Sequence, residues 1–307
     1  MTNTLHTLMD ELIDYAGLFP PAGLPMDQAV RNYAAYLQRD ERWALARFIV
    51  PAARLDEFAA QYSKLKSQTA WHLSVLINEL EMDVLRIAAF KQQFHAVPAP
   101  IIDVVELKAD SLEKIQQIRA TLDHQLAAYV EIPHDPDPTP LILALRNTQL
   151  RAKIRTGGVT ADAFPSPEQV LRFIATCAKH EVAFKATAGL HHPLRAEYRL
   201  TYEPNAPHGE MFGFLNVFLT AAWLWSGGDH DQALQLLTER DPASLQFNID
   251  GVTWRDHVIS NEQIANARQS FAIAFGSCSF EEPINEVRIM KDESRTKNAE
   301  KDLSSAP

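Results

Sequence analysis

Short apolar runs rich in β-formers alternate with longer stretches of helical period along most of the chain. Eight runs read as strands: residues 12–18 (LIDYAGL), 44–50 (ALARFIV), 71–77 (WHLSVLI), 101–107 (IIDVVEL), 127–133 (AAYVEIP), 151–157 (RAKIRTG), 182–189 (VAFKATAG) and 271–277 (FAIAFGS). The intervening segments, such as MDQAVRNYAAYL, ELEMDVLRIAAFKQQF and SPEQVLRFIATCAKH, carry apolar residues at helical spacing. The last opens on Ser166 followed by Pro167, which predicts an N-cap and a first helical turn. Strands joined through crossover helices pair in parallel, so the pattern predicts an α/β protein.

Eight such steps within residues 1–290 suit a (β/α)8 TIM barrel forming a single domain. An open doubly wound sheet fits less well, because neither GxGxxG after an early strand nor GxxxxGK[ST] is present. The seventh and eighth strands are separated by a long, largely helical excursion from Leu190 to Ser270. It holds an apolar helix at Met211–Trp225, a second helix at 229–241, and an extra strand or hairpin at 245–254 (LQFNIDGVTW). Residues 291–307 are almost devoid of apolar side chains and are expected to form a disordered tail.

Composition narrows the function classes. Apolar residues make up 46% of the chain, enough for a full core, and 29 basic against 39 acidic side chains leave a net charge of −10. That balance, without a long Lys/Arg run, argues against nucleic acid or anionic lipid as partner and favours a small molecule, with self-association left open. The longest apolar stretch is too short for a membrane span, Cys177 and Cys278 cannot build a disulfide framework, and the first residues carry acids where an export signal would be basic. A cytoplasmic location is expected.

In a barrel the strand ends that enter the βα loops carry the chemistry. Glu106, Glu131, Lys153, Arg155, Lys185 and Thr187 lie there, and alternation puts Lys153 with Arg155, and Lys185 with Thr187, on common faces. Three cations on adjacent strands predict an anionic ligand, since buried unpaired ions each cost several kcal/mol. A structural alternative has Glu106 and Glu131 neutralising Lys153 and Arg155, or the lysines snorkelling outside the barrel. Gly157 and Gly158, and the turn around Ser277 and Ser279, offer backbone N–H groups for an anion. His191, His192 and His208 are candidate acids, bases or ligands, Cys278 a candidate nucleophile, and Asn216 in its apolar helix needs polar partners. Leu18, Phe19 and the Pro20-Pro21 turn read as a lid or wall over the barrel mouth.

The motifs AGLFPPAG, KIRTGG, FKATAGLHHP, HGEMFGFLNVF and FGSCSFEEP resemble those of a bacterial family of uncharacterised aldolase-type TIM-barrel proteins. Lys153 in KIRTGG and Lys185 in KATAG resemble the two lysines on consecutive late strands of deoxyribose-phosphate aldolase, with Arg155 where that pattern has a small polar residue. The resemblance implies a Schiff base on Lys153 and a cationic neighbour, Lys185, that lowers its pKa. The histidine pair before an asparagine-bearing apolar helix is similar to metal-dependent acyl-CoA lyases and carboxyltransferases, although His191 and His192 are adjacent rather than alternating.

These readings converge on a barrel enzyme for a small carboxylate or phosphate substrate, a lyase using Lys153 or Lys185 without a cofactor. In it Arg155 clamps the anion, Glu131 or Glu106 moves protons, His191 assists, and Thr187, Gly158, His192, His208, Asn216, Ser277 and Ser279 contribute to binding. Two rivals stand beside it: a divalent metal held by Glu106, Glu131 and one or two histidines, and a barrel that binds a small molecule without catalysis.

Overall fold

The computed structural model describes residues 3–65, 70–95, 99–123 and 125–290. The tail predicted over 291–307 lies outside the described residues. All eight predicted strands are present: β1 (Ile13–Tyr15), β2 (Leu45–Pro51), β3 (His72–Leu76), β4 (Ile101–Lys108), β5 (Ala127–Glu131), β6 (Leu150–Arg155), β7 (Phe184–Thr187) and, after the excursion, β13 (Ala272–Ser277). They close in the order β1-β13-β7-β6-β5-β4-β3-β2 with every neighbour parallel, ringed by helices. This is the architecture of a (β/α)8 TIM barrel.

Side-chain alternation explains why the barrel closes this way. On β6, Ala152 and Ile154 join the apolar core beneath the helices, so Lys153 between them points to the opposite, inner side. Val105 on β4 and Ala186 on β7 face outward in the same manner, leaving Glu106 and Lys185 inside. The crossover helices pack apolar stripes on the outer strand faces. Pro167–Lys179, for example, buries Val170, Leu171, Phe173, Ile174 and Cys177, and starts at a capping box in which Ser166 and Gln169 bond each other's backbone N–H.

The excursion between β7 and β13 contributes β8 (Ala196–Arg199) and β9 (His208–Met211), which form an antiparallel hairpin. It also contributes β10 (Leu245–Phe247), β11 (Gly251–Trp254) and β12 (His257–Ser260), which form an antiparallel sheet of one strand more than the hairpin anticipated there. His208, a candidate acid, base or ligand from the sequence, begins β9 and is exposed, with Arg199 as its cross-strand partner. Among the described residues no helix is long and apolar enough to cross a membrane.

Asn216 locks the excursion together. Buried in the apolar helix Phe214–Trp225, its Oδ1 accepts from the Arg195 N–H at 2.8 Å, and its Nδ2 donates to the carbonyls of Leu236 at 2.8 Å and Glu239 at 3.0 Å. One side chain therefore satisfies three backbone groups from two segments, one before β8 and one at the end of helix His230–Leu237. Asn216→Leu strands these groups, and the variant is expected to lose about 1–3 kcal/mol of stability in urea denaturation with its secondary structure retained.

Candidate active site

The C-terminal ends of the strands surround a cavity of about 390 Å³. Lys153, Glu106, Arg155 and Thr187 form its floor and one wall, and Gly157, Gly158 and Thr160 follow from the loop after β6. Phe19, Pro20 and Pro21 form the wall expected of the segment after β1, whereas Leu18 is buried in the core. Leu200 and Met211 reach in from the β8–β9 hairpin, and His191, Gly276 and Cys278 complete the rim.

Beneath the floor lies a buried ionic network. Lys153 and Lys185 are direct register partners on β6 and β7, as are Glu131 and Lys153 on β5 and β6. Lys153 Nζ stands 2.8 Å from Glu106 Oε2 and 2.9 Å from Glu131 Oε2. Lys185 Nζ donates to Asp14 Oδ2 and Glu106 Oε1, both at 2.5 Å, while Ser74 Oγ donates to that same Glu106 oxygen at 2.6 Å. Arg155 Nε bonds Glu131 Oε1 at 3.2 Å, its side chain 44% exposed. Asp14, Glu106 and Glu131 thus face Lys153, Lys185 and Arg155, with exposed Lys108 3.8 Å from Glu131 at the edge, so the cations are paired with carboxylates, as the structural alternative expected of Lys153 and Arg155.

Two members were absent from the predicted set. Asp14, in the middle of β1, and Ser74, in the middle of β3, are single polar positions within buried apolar runs. That was the signal by which they could have been found, since such groups persist only with partners.

The network fixes the charge states. Burial alone would push the Glu106 carboxyl up, but the ammonium groups of Lys153 and Lys185 outweigh it and hold Glu106 well below the usual carboxylate range. Glu131 is lowered in the same way, by Lys153 and then Arg155 against its burial. Lys185 moves opposite to the depression that a cationic neighbour would cause: burial favours its neutral form, yet Asp14 and Glu106 raise it above the usual lysine range. Lys185 is a fixed cation and fully enclosed, whereas Lys153 reaches the cavity surface.

The loops at the mouth are held by unusual backbone. Ala188 and Gly189 take consecutive left-handed conformations, with φ of 63° and 71°. The Thr156 hydroxyl donates to the Ala188 carbonyl at 2.6 Å, tying this turn to the end of β6. A Cβ on Gly189 would stand 3.1 Å from Gly157 Cα, and one on Gly157 would stand 2.4 Å from the Phe164 ring, so this close approach requires glycine at Gly157.

The remaining predicted residues lie apart from the floor. His191 lines the rim, where burial works against its protonation but the Cys278 thiol and the Glu282 carboxylate raise it to about 10. His192 bonds Glu286 behind the rim. Ser277 Oγ accepts from the Ser279 N–H, and Ser279 Oγ accepts from the Glu282 N–H at the start of helix 281–290, so both hydroxyls serve local turns. Asn216 and His208 belong to the excursion. Glu106 and Glu131 direct their oxygens at lysines and Arg155, while the adjacent histidines bond Glu282 and Glu286, so the metal set anticipated around Glu106 and Glu131 is not assembled.

Comparison of the chain with protein families, curated proteins and solved structures finds no match, which leaves the geometry to carry the functional reading.

Removing Lys185 would leave Asp14 and Glu106 short of a buried countercharge. Lys185→Met is expected to cost about 3–5 kcal/mol at neutral pH by urea denaturation, and a second change, Asp14→Asn, to recover part of it. The lowered carboxylates set the acid dependence as well. Their folded values lie below the ordinary 4.5 of a glutamate, so the unfolded chain binds protons first as the pH falls. Their contribution is complete above that range and is lost on acidification through the folded values, which circular dichroism across an acid titration will register. In Lys185→Met the Glu106 carboxyl loses one of the two ammonium groups that lower it, so the destabilisation relative to the wild type should shrink as the pH falls.

Proposed function

We propose that the barrel is an enzyme for a small carbonyl compound bearing a carboxylate or phosphate, that Lys153 forms a Schiff base with it, and that the reaction makes or breaks a carbon–carbon bond. The observation that carries this reading is the position of Lys153: its amine is at the cavity floor, bracketed by Glu106 and Glu131, directly beside a second, fully buried lysine. The likeness of this lysine pair to that of deoxyribose-phosphate aldolase supports the same assignment.

In the first step the Lys153 ammonium passes a proton to Glu131, and the free amine attacks the carbonyl carbon. The carbinolamine then takes the proton back on its hydroxyl and expels water, leaving an iminium bonded to Nζ. The iminium carries the single positive charge that the ammonium carried, so the carboxylates on either side suit it without rearrangement. It draws in the electron pair of the adjacent carbon–carbon bond while Glu131 takes the proton from the β-hydroxyl. Cleavage gives an aldehyde and an enamine, which is protonated and hydrolysed to release the second product and regenerate the lysine. Lys185, pinned by Asp14 and Glu106, supplies the neighbouring positive charge. Arg155, half-exposed on the wall, pairs with the anionic group, assisted by the Thr187 hydroxyl and the backbone of Gly157 and Gly158.

Charge balance favours a second reading, a barrel that binds a small anion without covalent chemistry and in which the neutral network is structural. Borohydride reduction in the presence of pyruvate or glycolaldehyde phosphate separates the two. Under the first reading peptide mass mapping finds a reduced adduct on Lys153, lost in Lys153→Met. Arg155→Ala should weaken trapping of these anions by roughly 10–100-fold in concentration while leaving an uncharged aldehyde unaffected. No adduct on either lysine with any of a panel of short oxo acids and phosphorylated aldehydes would reject the Schiff base.

A further inference from the structure

Behind the rim of the cavity, donors from two distant segments converge. His191 and His192 follow β7, and Glu282 and Glu286 stand one turn apart on helix 281–290. His192 Nδ1 lies 2.7 and 2.9 Å from the two Glu286 oxygens, and His191 Nδ1 lies 3.0 Å from Glu282 Oε2. One donor atom each from His192, Glu282 and Glu286 falls within 4.8 Å of the others. Donors bound 2.0–2.2 Å from one centre stand roughly 3 to 4.4 Å apart, so side-chain shifts well under an ångström would bring all three onto a common ion.

We propose that His192, Glu282 and Glu286 bind a divalent transition-metal cation of the Mn²⁺ to Zn²⁺ series, which pins helix 281–290 to the loop after β7. The charge pattern argues for this occupant. Two carboxylates at i and i+4 repel each other on a helix. Among the described residues neither has a lysine or arginine partner: Glu282 meets His191 and the Tyr202 hydroxyl, and Glu286 meets His192. By contrast the single carboxylate of Glu210 on β9 meets two guanidinium groups, those of Arg195 and Arg240. One imidazole and two carboxylates form a borderline donor set that suits Mn²⁺, Fe²⁺ or Zn²⁺ better than Mg²⁺ or Ca²⁺.

A second observation is that groups outside the cluster hold its donors in place. The Tyr202 hydroxyl donates to Glu282 Oε2 at 3.0 Å, and the His192 ring stacks on Tyr198 with centroids 3.5 Å apart and planes within 9°. Outer contacts of this kind orient metal ligands. His192 is buried, and the side chains of Glu282 and Glu286 are 26% and 32% exposed, which leaves a route for the ion. Binding puts M²⁺ where a proton bridges His192 Nδ1 and Glu286, the proton leaving to solvent. Three protein donors leave at least one coordination position for water.

This site is independent of the Lys153 reading, so each can fail alone. The whole chain, stripped with chelator and dialysed, is titrated with ZnCl₂, MnCl₂ and CoCl₂ by calorimetry, with thermal melts and visible spectra in parallel. The expected result is one equivalent per chain for at least one of these ions, a higher Tm in its presence, and d–d absorption if Co²⁺ binds. Glu286→Gln and His192→Ala should weaken binding by about 100-fold, while Lys153→Met, which lacks the proposed nucleophile, should bind as the wild type does. Absence of stoichiometric uptake by the wild type overturns the proposal, as does uptake that both cluster variants keep. Should His192→Ala lose its near-UV dichroism, Glu286→Gln decides alone, because its carboxylate is partly exposed.

Discussion

Lys185 reaches from β7 across the inside of the barrel to Asp14 on β1 and Glu106 on β4, and much of the molecule's organisation follows from that one enclosed ammonium group. A cation removed from water is tolerated only with close counterions and its remaining donors used. Asp14 and Glu106 meet that demand, and Glu106 in turn draws in Lys153 and the Ser74 hydroxyl. Non-adjacent strands are linked by charge as well as by their backbone ladders. The floor of the cavity is therefore a rigid, electrically balanced layer on which Lys153 is the lysine presented to the cavity.

Much of the barrel was legible in the sequence because its signals are local. Strand and helix periods, the Ser166-Pro167 start and the glycine-terminated strands each report on a few neighbouring residues. The excursion was legible in part: its helices carry the apolar period, but β8 and β9 are only four residues each, too short for alternation to stand out, and β9 carries His208 and Glu210.

At the candidate site, alternation on β6 and β7 brought Lys153 and Lys185 to one side of the sheet, and the barrel makes them neighbours. That Asp14 needs a partner was readable from its apolar run, but that the partner is Lys185 was not, because the two lie 171 residues apart and meet only on barrel closure. The same limit applies to the histidines. Their position in a loop was readable, whereas their pairing with Glu282 and Glu286 depends on where helix 281–290 folds back. Asn216 shows the converse: a polar residue in an apolar helix flags a need for partners, but whether a ligand or the protein's own backbone meets it is decided only in three dimensions.

The cavity draws its floor and its roof from different parts of the chain. The ionic layer comes from β1 and from β4 to β7, while Leu200 and Met211 descend from a hairpin inserted between β7 and β13 and anchored separately through Asn216. Among the described residues the insert makes none of the ionic contacts of the floor. The charges of the floor and the shape of the mouth are written in separate stretches of polypeptide, so the outline of the opening can drift while the ionic layer beneath it stays as it is.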